Sequence, residues 1–247
     1  MEKEIREKLL NINTDFYSAF ARSFSTTRAR VQPGIQQLIE NIPETAHLLD
    51  LGCGNGIFLH RLVEQGFCGS YTGLDFSPKL LKDAQELNRS VQSIEMDFKT
   101  IDLSANDWDA GLVKVSFDIV TAFAVLHHLP DANMRKVLIN KIHKLLKPNG
   151  VFLFSIWQFT NSQRLRKRIL PWESLQMSPG DVETGDTLLD WRAEADSGQI
   201  GLRYVHLFNE PELSNLAQET GFTIQSHFYS DGHEGNLALY QVWVKEG

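Results

Sequence analysis

A glycine-rich turn and the acids beside it carry the clearest chemical signal in this sequence. Gly52, Gly54 and Gly56 directly follow Asp50, and a second acid, Asp75, closes the next apolar segment about 25 residues after Asp50. Glycine lacks the side chain that would keep a ligand away from the backbone, and helix N-termini attract polar and anionic groups. A carboxylate at the spacing of Asp75 is typical of one that accepts hydrogen bonds from ribose hydroxyls. These residues together predict a site for a nucleotide-like ligand.

A sheet is needed to hold these residues at one edge. Apolar segments near 46–50 and 70–75 predict buried strands, and the amphipathic run from Phe58 to Val63 predicts a helix packed back on them. Further strands are predicted near 92–96, 117–122, 151–157, 222–229 and 237–244, with helices at 134–146 and 211–220. This alternation predicts an α/β fold with a doubly wound, mostly parallel sheet whose last strand is antiparallel. A third acid, Asp97, closes the third predicted strand.

The length of 247 residues predicts a single domain with four parts. The parts are an N-terminal helical cap, a ligand-binding core, an insertion or lid, and the C-terminal part of the sheet, at residues 1–44, 45–156, 157–203 and 204–247. Phe16, Phe20 and Phe24 recur at four-residue spacing in the first part, which predicts one buried helix face. The third part lacks steady periodicity and contains several prolines and glycines, as expected of an insertion before the last helix.

Composition and charge argue against several classes of protein. The net charge of −7 is unusual for a surface that grips nucleic acid, although basic groups occur at Arg22, Arg28, Arg30 and residues 164–168. No apolar run approaches the ~20 residues of a bilayer span and no apolar leader follows the charged start, so we expect a soluble, cytoplasmic protein with no membrane partner. Two cysteines are too few for a disulfide framework or a structural zinc site, and no metal is predicted.

Several segments resemble, in the right order, the successive motifs of class I S-adenosylmethionine-dependent methyltransferases. They are Leu49 to Gly56, Gly73 to Ser77, Met96 to Phe98, Phe117 to Val120 with Val125 to Leu129, and Leu145 to Gly150. The resemblance covers roughly residues 45–156. It implies a Rossmann-like sheet with N-terminal helices, S-adenosylmethionine as cofactor and S-adenosylhomocysteine as product. The glycine spacing departs from the G-x-G-x-x-G of nicotinamide enzymes, which makes a dehydrogenase a distant alternative.

The same resemblance assigns roles to individual residues. It implies that Asp50 organises the glycine loop and receives the amino group of the cofactor, while Asp75 takes both ribose hydroxyls. Phe76 and Phe98 are expected to sandwich the adenine, with Asp97 accepting from its exocyclic amine. The remaining expected contacts come from the turn and from the end of the fourth strand, at Gly52, Cys53, Gly54, Gly56, Ala122 and Phe123.

Segments outside this core point to the methyl acceptor. Phe20 to Arg28, Ile169 to Trp172 and Arg203 to Phe208 look like the family that methylates the wobble uridine of tRNA, forming the methyl ester of a 5-carboxymethyl group. A carboxylate is ionised at neutral pH, so it needs a cationic or hydrogen-bonding clamp rather than a base. The candidates for that clamp are Arg28, Arg203 and His206. The resemblance implies tRNA as a partner and, in eukaryotes, a small zinc-binding activator protein.

Two other functions stay open at this point. A methyltransferase for a small acidic or phenolic metabolite fits the acidic chain, and a phenol or amine acceptor needs a base, for which His127 or His128 is the candidate. The second alternative is a cofactor-binding partner protein without turnover. Tyr17 either closes over the cofactor or packs with Phe20 and Phe24. The two adjacent histidines are not expected to bind a metal, because neighbouring side chains point apart and no further Cys/His cluster accompanies them.

Overall fold

The chain folds as alternating strands and helices around one large sheet, with a smaller sheet beside it. The computed structural model describes residues 1–27, 30–92, 94–192 and 200–247, and for 21–27 it describes the backbone alone. The helices are α1 (Lys3–Thr27), α2 (Pro33–Ile39), α3 (Ile57–Glu64), α4 (Pro78–Leu87), α5 (Ala132–Leu145), α6 (Gln163–Arg166) and α7 (Glu210–Glu219). The strands are β1 (His47–Leu51), β2 (Ser70–Asp75), β3 (Glu95–Thr100), β4 (Phe117–Phe123), β5 (Leu146–Trp157), β6 (Ile169–Leu170), β7 (Asp186–Arg192), β8 (Ile200–His206), β9 (Phe222–Ser230) and β10 (Ala238–Lys245).

The large sheet has the strand order β3-β2-β1-β4-β5-β10-β9. Strands β1 to β5 pair in parallel, whereas β10 runs antiparallel to both β5 and β9. The predicted fold class is therefore confirmed, including the antiparallel last strand. The chain moves outward from β1 through β2 to β3 and then returns to β4, so the order reverses between β1 and β4. Doubly wound sheets bind ligands in the crevice at such a reversal.

The third strand differs from its predicted position. The prediction was a strand near 92–96, but β3 runs from Glu95 to Thr100. This strand forms the edge of the sheet, and its residues alternate between exposed and half-buried. An edge strand carries a weak apolar pattern because little of it is buried, so its end is hard to place from sequence. The shift changes which acid lies beyond the strand end, Asp102 rather than Asp97.

The predicted insertion forms a three-stranded antiparallel sheet with the order β6-β7-β8. Its predicted end at residue 203 falls inside β8, which continues to pair with β7 as far as His206 opposite Asp186. Strand β8 therefore crosses the predicted boundary of the insertion. Antiparallel pairing with a partner upstream is not visible in the local sequence.

Two apolar layers hold the large sheet. Helices α5 and α7 cover one face, where Ile142 and Leu213 are fully buried, and α3 covers the other with Leu59. The start of α5 is fixed by Asp131, whose Oδ1 accepts a hydrogen bond from the backbone N–H of Asn133 at 2.8 Å. Such a cap satisfies a donor that has no partner within the helix.

The long helix α1 packs its aromatic face against the small sheet. Phe16 and Phe20 are buried, and their ring centroids lie 5.4 and 4.7 Å from that of Trp191 in β7. The predicted buried stripe is confirmed for these two residues, whereas the side chain of Phe24 lies outside the described residues. None of the helices in the described ranges combines the length and apolarity that a bilayer span requires.

Candidate active site

A cavity of about 620 Å³ opens where the carboxyl ends of β1, β2 and β4 meet, and α1 lines its other side. Cavities of this volume are typical of sites for small-molecule ligands and cofactors. Five segments contribute most of its lining, within residues 7–17, 50–58, 75–80, 101–104 and 123–129. The cavity thus lies at the reversal of strand order and brings together the glycine turn, two strand-end acids and the N-terminal helix.

The glycine turn contributes backbone to the cavity wall. Gly52 and Cys53 donate their N–H groups to the carbonyl of Leu74 at 2.7 and 3.0 Å, which ties the turn to β2. Gly54 has a φ of +56°, a left-handed value, and a Cβ built there meets no atom within 4 Å. That open space belongs to the cavity, so only glycine combines the backbone angle with room for a ligand.

Gly56 has a packing role in the structure, and its contact with a ligand stays a prediction. Its φ is +74°, and a Cβ there would come within 2.8 Å of the Cβ of Ala84 in α4. It does not line the cavity. Gly56 precedes the first residue of α3, so it allows α3 and α4 to pack closely at the base of the turn.

Asp50 lies at the end of β1, and both of its oxygens are bound from neighbouring strands. The Tyr71 hydroxyl donates to Oδ2 and the Thr121 hydroxyl donates to Oδ1, each at 2.6 Å. Burial raises the pKa of Asp50 to about 6, although these two hydrogen bonds oppose the shift. The carboxylate lines the cavity and retains lone pairs that a ligand N–H group can use.

Asp75 closes β2 and joins the turn to the next helix. Its Oδ2 accepts from the N–H of Gly54 at 2.9 Å, and its Oδ1 accepts from the N–H of Ser77 at 2.8 Å. Burial raises the pKa of Asp75 above its ordinary value, and the two backbone hydrogen bonds counteract part of that shift. Asp75 and Phe76 both line the cavity, as the ribose and adenine assignments require.

Asp97 and Phe98, which were expected at the adenine, lie outside the cavity. Asp97 is exposed and pairs with Lys99 at 2.9 Å, whereas the Phe98 ring packs against Tyr71 with centroids 5.8 Å apart. The segment that lines the cavity at this edge is 101–104, which contains Asp102. The reason is that the third strand starts and ends later than predicted, so residues 97 and 98 lie within the strand and not beyond its end. Sequence analysis did not identify Asp102, although it lies in the apolar-to-acid pattern Ile101-Asp102.

At the end of β4 the lining is shifted by one residue from the prediction. Ala122 is buried in the apolar core and Phe123 lines the cavity, followed by Ala124 and Val125. Ala124 has a φ of +57°, and its N–H donates to the Oγ of Ser155 at 3.0 Å. A non-glycine residue in this left-handed region is strained, and such strain is concentrated at functional sites.

The two histidines after β4 have different environments. His127 does not line the cavity; its Nδ1 accepts from the N–H of Trp157 at 3.3 Å, and its ring stacks on Trp157. His128 lines the cavity, and its Nε2 lies 2.7 Å from the Tyr17 hydroxyl. The sequence left the choice between the two histidines open. The geometry favours His128.

Arg203 is buried among aromatic rings instead of at the cavity surface. Its guanidinium carbon lies 4.2 Å from the Trp157 centroid and 5.0 Å from the Phe16 centroid. Cations over aromatic faces gain stabilisation when desolvated. Arg203 therefore connects β8, the end of β5 and α1, and it is absent from the described cavity lining. Arg28, which was also predicted to clamp the acceptor, lies outside the described residues.

His206 is also away from the cavity, in a buried charged cluster. Its Nδ1 lies 2.7 Å from Asp186, and its Nε2 lies 3.0 and 3.1 Å from the two oxygens of Glu212. Burial alone lowers the pKa of the His206 imidazole, but the hydrogen bonds to both carboxylates outweigh it, so the pKa is raised. Both ring nitrogens are engaged, which argues against the predicted contact with an acceptor.

Arg135 completes this cluster from α5. Its side chain is 2% exposed and contacts Glu183 at 2.8 Å, Glu212 at 3.3 Å and the carbonyl of Leu129 at 3.0 Å. Glu183, Asp186 and His206 place three potential metal ligands within 4.8 Å of one another. Arg135 already bonds Glu183, and the Tyr204 hydroxyl donates to Asp186 at 2.6 Å. The ion pairs and hydrogen bonds of this cluster therefore hold the insertion, α5 and α7 together.

The charged side chains in the described lining of the cavity are all acidic. Its described lining contains four carboxylates and neither lysine nor arginine, the acids being Glu7, Asp50, Asp75 and Asp102. Carboxylates that line a cleft raise the local concentration of cationic ligands. The described lining therefore suits a ligand with positive charge.

Comparison with known proteins identifies the family. The sequence profile described as a methyltransferase domain matches residues 24–227. The chain belongs to this methyltransferase family. This methyltransferase is 27% identical to the tRNA (carboxymethyluridine(34)-5-O)-methyltransferase of Schizosaccharomyces pombe over 86% of its own length and 89% of that protein. It is 31% identical to the protein of the same name from Arabidopsis thaliana over 57% of its length, a region that spans 31% of the plant protein.

A solved structure matches the whole methyltransferase. The 1,6-didemethyltoxoflavin-N1-methyltransferase of Burkholderia thailandensis, solved with 1,6-didemethyltoxoflavin and S-adenosylhomocysteine bound, superimposes with a TM-score of 0.67. The match covers 100% of this chain and 92% of that one at 20% identity. At this identity the match supports the fold of the chain.

Proposed function

We propose that this methyltransferase uses S-adenosylmethionine to methylate the carboxylate of a 5-carboxymethyluridine in tRNA. The cofactor assignment rests chiefly on the turn at Gly54, where open space, backbone and the carboxylate of Asp75 meet at the end of β1 and β2. The acceptor assignment rests on the relative from S. pombe, whose similarity extends over most of both chains.

The cavity fits S-adenosylmethionine in its donor set and its charge. Asp75 offers lone pairs to the ribose hydroxyls, and Phe76 offers a ring face to the adenine. Asp102 replaces Asp97 as the acid expected near the adenine amine. Asp50 suits the amino group, and the carboxylates together match the positive charges of the ammonium and sulfonium groups. Gly54 provides the space through which the backbone comes close to the cofactor.

Methyl transfer requires mainly that the acceptor be oriented toward the methyl group. S-adenosylmethionine, when bound, supplies an electrophilic methyl group, and the chain holds the acceptor oxygen in line with it. Orientation of two reactants can contribute on the order of 7–11 kcal/mol to a rate. A carboxylate acceptor carries no proton to be removed, so the residues around it serve to bind and orient it.

The decisive experiment uses tRNA that lacks the methyl ester. We expect transfer of labelled methyl from S-adenosylmethionine to this tRNA, and loss of the label as methanol in mild alkali, because an ester hydrolyses there while N-methyl and ether groups do not. The Gly54→Val variant is the matched control for cofactor-dependent transfer. Label that appears only in a small-metabolite extract, or that resists alkali, would contradict the acceptor assignment.

One observation favours a second candidate, a small phenolic or amine acceptor. The described lining of the cavity has four carboxylates and no lysine or arginine to attract an anionic acceptor. Such an acceptor needs a base, and His128 is the histidine that reaches the cavity. The same labelling experiment separates the candidates, since this acceptor would be methylated in the metabolite extract and its product would resist alkali.

A further inference from the structure

The hydrogen bond between Tyr17 and His128 has a defined direction. His128 Nδ1 lies 3.2 Å from the backbone carbonyl of Tyr204, and a carbonyl can only accept. Nδ1 therefore carries the hydrogen, and Nε2 is left as the acceptor. The Tyr17 hydroxyl, 2.7 Å from Nε2, then donates to it. In this arrangement His128 is neutral.

Asn13 ties His128 to the backbone of β8. Its Oδ1 accepts from the N–H of Tyr204 at 2.9 Å, and its Nδ2 donates to the carbonyl of His128 at 3.2 Å. The same Nδ2 lies 3.5 Å from His128 Nδ1, at the limit of a hydrogen bond, and the carbonyl of His128 is its closer partner. Tyr17 lies four residues later on the same helix, so α1, β8 and the turn after β4 hold the pair as a unit.

An anionic acceptor would change the direction of this bond. A carboxylate in the cavity has only acceptor atoms, so the Tyr17 hydroxyl must turn its hydrogen to it. The phenolic oxygen then presents a lone pair to the lone pair of His128 Nε2. This repulsion is removed if Nε2 takes up a proton from solvent, while Nδ1 keeps its hydrogen on the carbonyl of Tyr204. The ring becomes an imidazolium and supplies a positive charge.

We propose that Tyr17 orients the acceptor carboxylate and that His128, protonated as the acceptor binds, provides its positive charge through Tyr17. This inference rests on the proposed function. It accounts for a cavity whose described lining has no lysine or arginine although the proposed acceptor is an anion. The proton balance is one proton taken from solvent onto Nε2 for each carboxylate bound, and no bond of the acceptor is broken in this step.

Other charged and titratable groups surround the pair. On the elements packed around it they are Glu7 of α1, His127 of the same turn, Asp131 at the start of α5, Arg203 of β8 and Asp50 at the end of β1. Asp131 is balanced by Arg6, whose guanidinium lies 3.3 Å away, and Arg203 is held over aromatic rings. Glu7 and Asp50 remain as negative groups on the same cavity.

The first test is calorimetric and needs no turnover. The enzyme loaded with S-adenosylhomocysteine is titrated at pH 8 with an anticodon stem-loop that carries 5-carboxymethyluridine, in two buffers that differ in ionisation enthalpy. We expect uptake of about one proton per stem-loop. A stem-loop with the neutral 5-carbamoylmethyl group is expected to bind without uptake. His128→Gln, which can donate to Tyr17 without charge, is expected to abolish uptake, and His233→Gln on the exposed β9–β10 loop is the matched control.

The second test separates binding from turnover. We expect Tyr17→Phe to raise KM for the stem-loop about tenfold with little change in kcat, because a charge-assisted hydrogen bond is lost. Tyr229→Phe, whose hydroxyl is at an exposed site 3.4 Å from Glu210, is expected to behave as wild type. In the wild type, KM is expected to rise with pH above the range where histidine ordinarily titrates, and His128→Gln should remove that dependence.

The outcomes distinguish the two proposals. Ester formation on the stem-loop with a KM that is independent of pH and of Tyr17, and with no proton uptake, overturns the inference and leaves the proposed function standing. No transfer to the stem-loop overturns both. A kcat/KM that rises with pH and needs His128 indicates a base acting on a neutral acceptor, which also overturns the carboxylate interpretation.

Discussion

The cofactor side of the cavity and the buried charged cluster around Arg135 are built in different ways. The cofactor side comes from short, contiguous segments at strand ends, and its polar groups, such as Asp50 and Asp75, face the cavity with lone pairs still available. The charged cluster lies away from the cavity and joins elements far apart in sequence, and Arg135 and His206 are held there by Glu183 and Glu212. The polar groups of the first region remain available to a ligand, whereas those of the second bond one another and hold α5, α7 and the insertion together.

This difference separates affinity from stability. Substitutions on the cofactor side should weaken ligand binding and leave the fold largely intact, because the lost contacts are made to the ligand. Substitutions in the charged cluster should do the reverse, since they leave buried partners unpaired. A variant that lowers ligand affinity and the free energy of unfolding equally would contradict this contrast.

The largest effect is expected for Arg135→Met. Removal of this buried cation leaves Glu183 and Glu212 without it, so we expect the free energy of unfolding to fall by about 3 kcal/mol, measured by urea denaturation. Affinity for S-adenosylhomocysteine should stay within about threefold, because Arg135 does not line the cavity. Lys136→Met is the matched control, because Lys136 forms an exposed pair with Glu219 that is worth at most about 1 kcal/mol. Equal losses in the two variants would contradict the prediction.

The next effect is expected at Gly54. In Gly54→Val the new side chain occupies the cavity, and we expect a loss of at least about 100-fold in affinity for S-adenosylhomocysteine by calorimetry, a loss of about 2.7 kcal/mol. The left-handed φ should lower stability by about 1–2 kcal/mol. A folded variant with wild-type affinity would show that the cofactor does not approach this turn.

A smaller effect is expected from the acids at the third strand. Asp102→Ala should weaken S-adenosylhomocysteine binding about tenfold, as expected for the loss of a hydrogen bond to a carboxylate. Asp97→Ala should leave affinity unchanged, because Asp97 is exposed and pairs with Lys99. The reverse ranking would restore the original assignment of Asp97 and would place the strand end four or five residues earlier.

The smallest effect is a pH dependence that arises from Asp50. Because burial raises the pKa of Asp50 to about 6, the carboxylate becomes protonated as pH falls through that value, and affinity for the cationic cofactor should decline several-fold between pH 7.5 and 5. Thr121→Val removes a hydrogen bond to the ionised form, so the midpoint should move to higher pH. A flat profile from pH 7.5 to 5 would show that Asp50 does not contact the ligand's charge.

Protein stability should respond to pH in the same direction at both regions, because both groups have a raised pKa in the folded state. The raised pKa of Asp50 means that the folded state binds this proton more tightly than the unfolded state, so stability from this group falls as pH rises through about 6. His206 also has a raised pKa, and its stabilising effect is complete at low pH and is lost as pH rises through its folded-state value.

The sequence was sufficient for the core of the fold because the signals there are local. The strands that end at Asp50 and Asp75 are buried on both faces, so each one reads as an apolar run closed by an acid, and the predicted sheet follows from them. The turn glycines could be recognised for the same reason. Gly52 and Gly54 line the cavity, while Gly56 has a packing role that spacing alone does not distinguish.

The parts that could not be predicted depend on pairing and on side-chain direction. The edge strand β3 is half-exposed, so its end could not be placed from the sequence. Asp97 was therefore predicted at the cavity, where the structure has Asp102. The choice between His127 and His128 depends on a one-residue difference in a short turn, and it was decided by Tyr17 from a helix 111 residues away. His206 was predicted at the acceptor from a local phrase, but its partners Asp186 and Glu212 come from two other elements.

The hydrogen bonds of Asn13 set an order for the assembly of this protein on the ribosome. Its amide accepts from the backbone of Tyr204, which is 191 residues later in the chain. The helix that carries Asn13 is synthesised early but cannot find this partner until β8 has emerged. We therefore expect nascent chains that stop before residue 204 to hold the central strands in native-like form and to leave the N-terminal helix undocked, accessible to a protease until synthesis has passed that point.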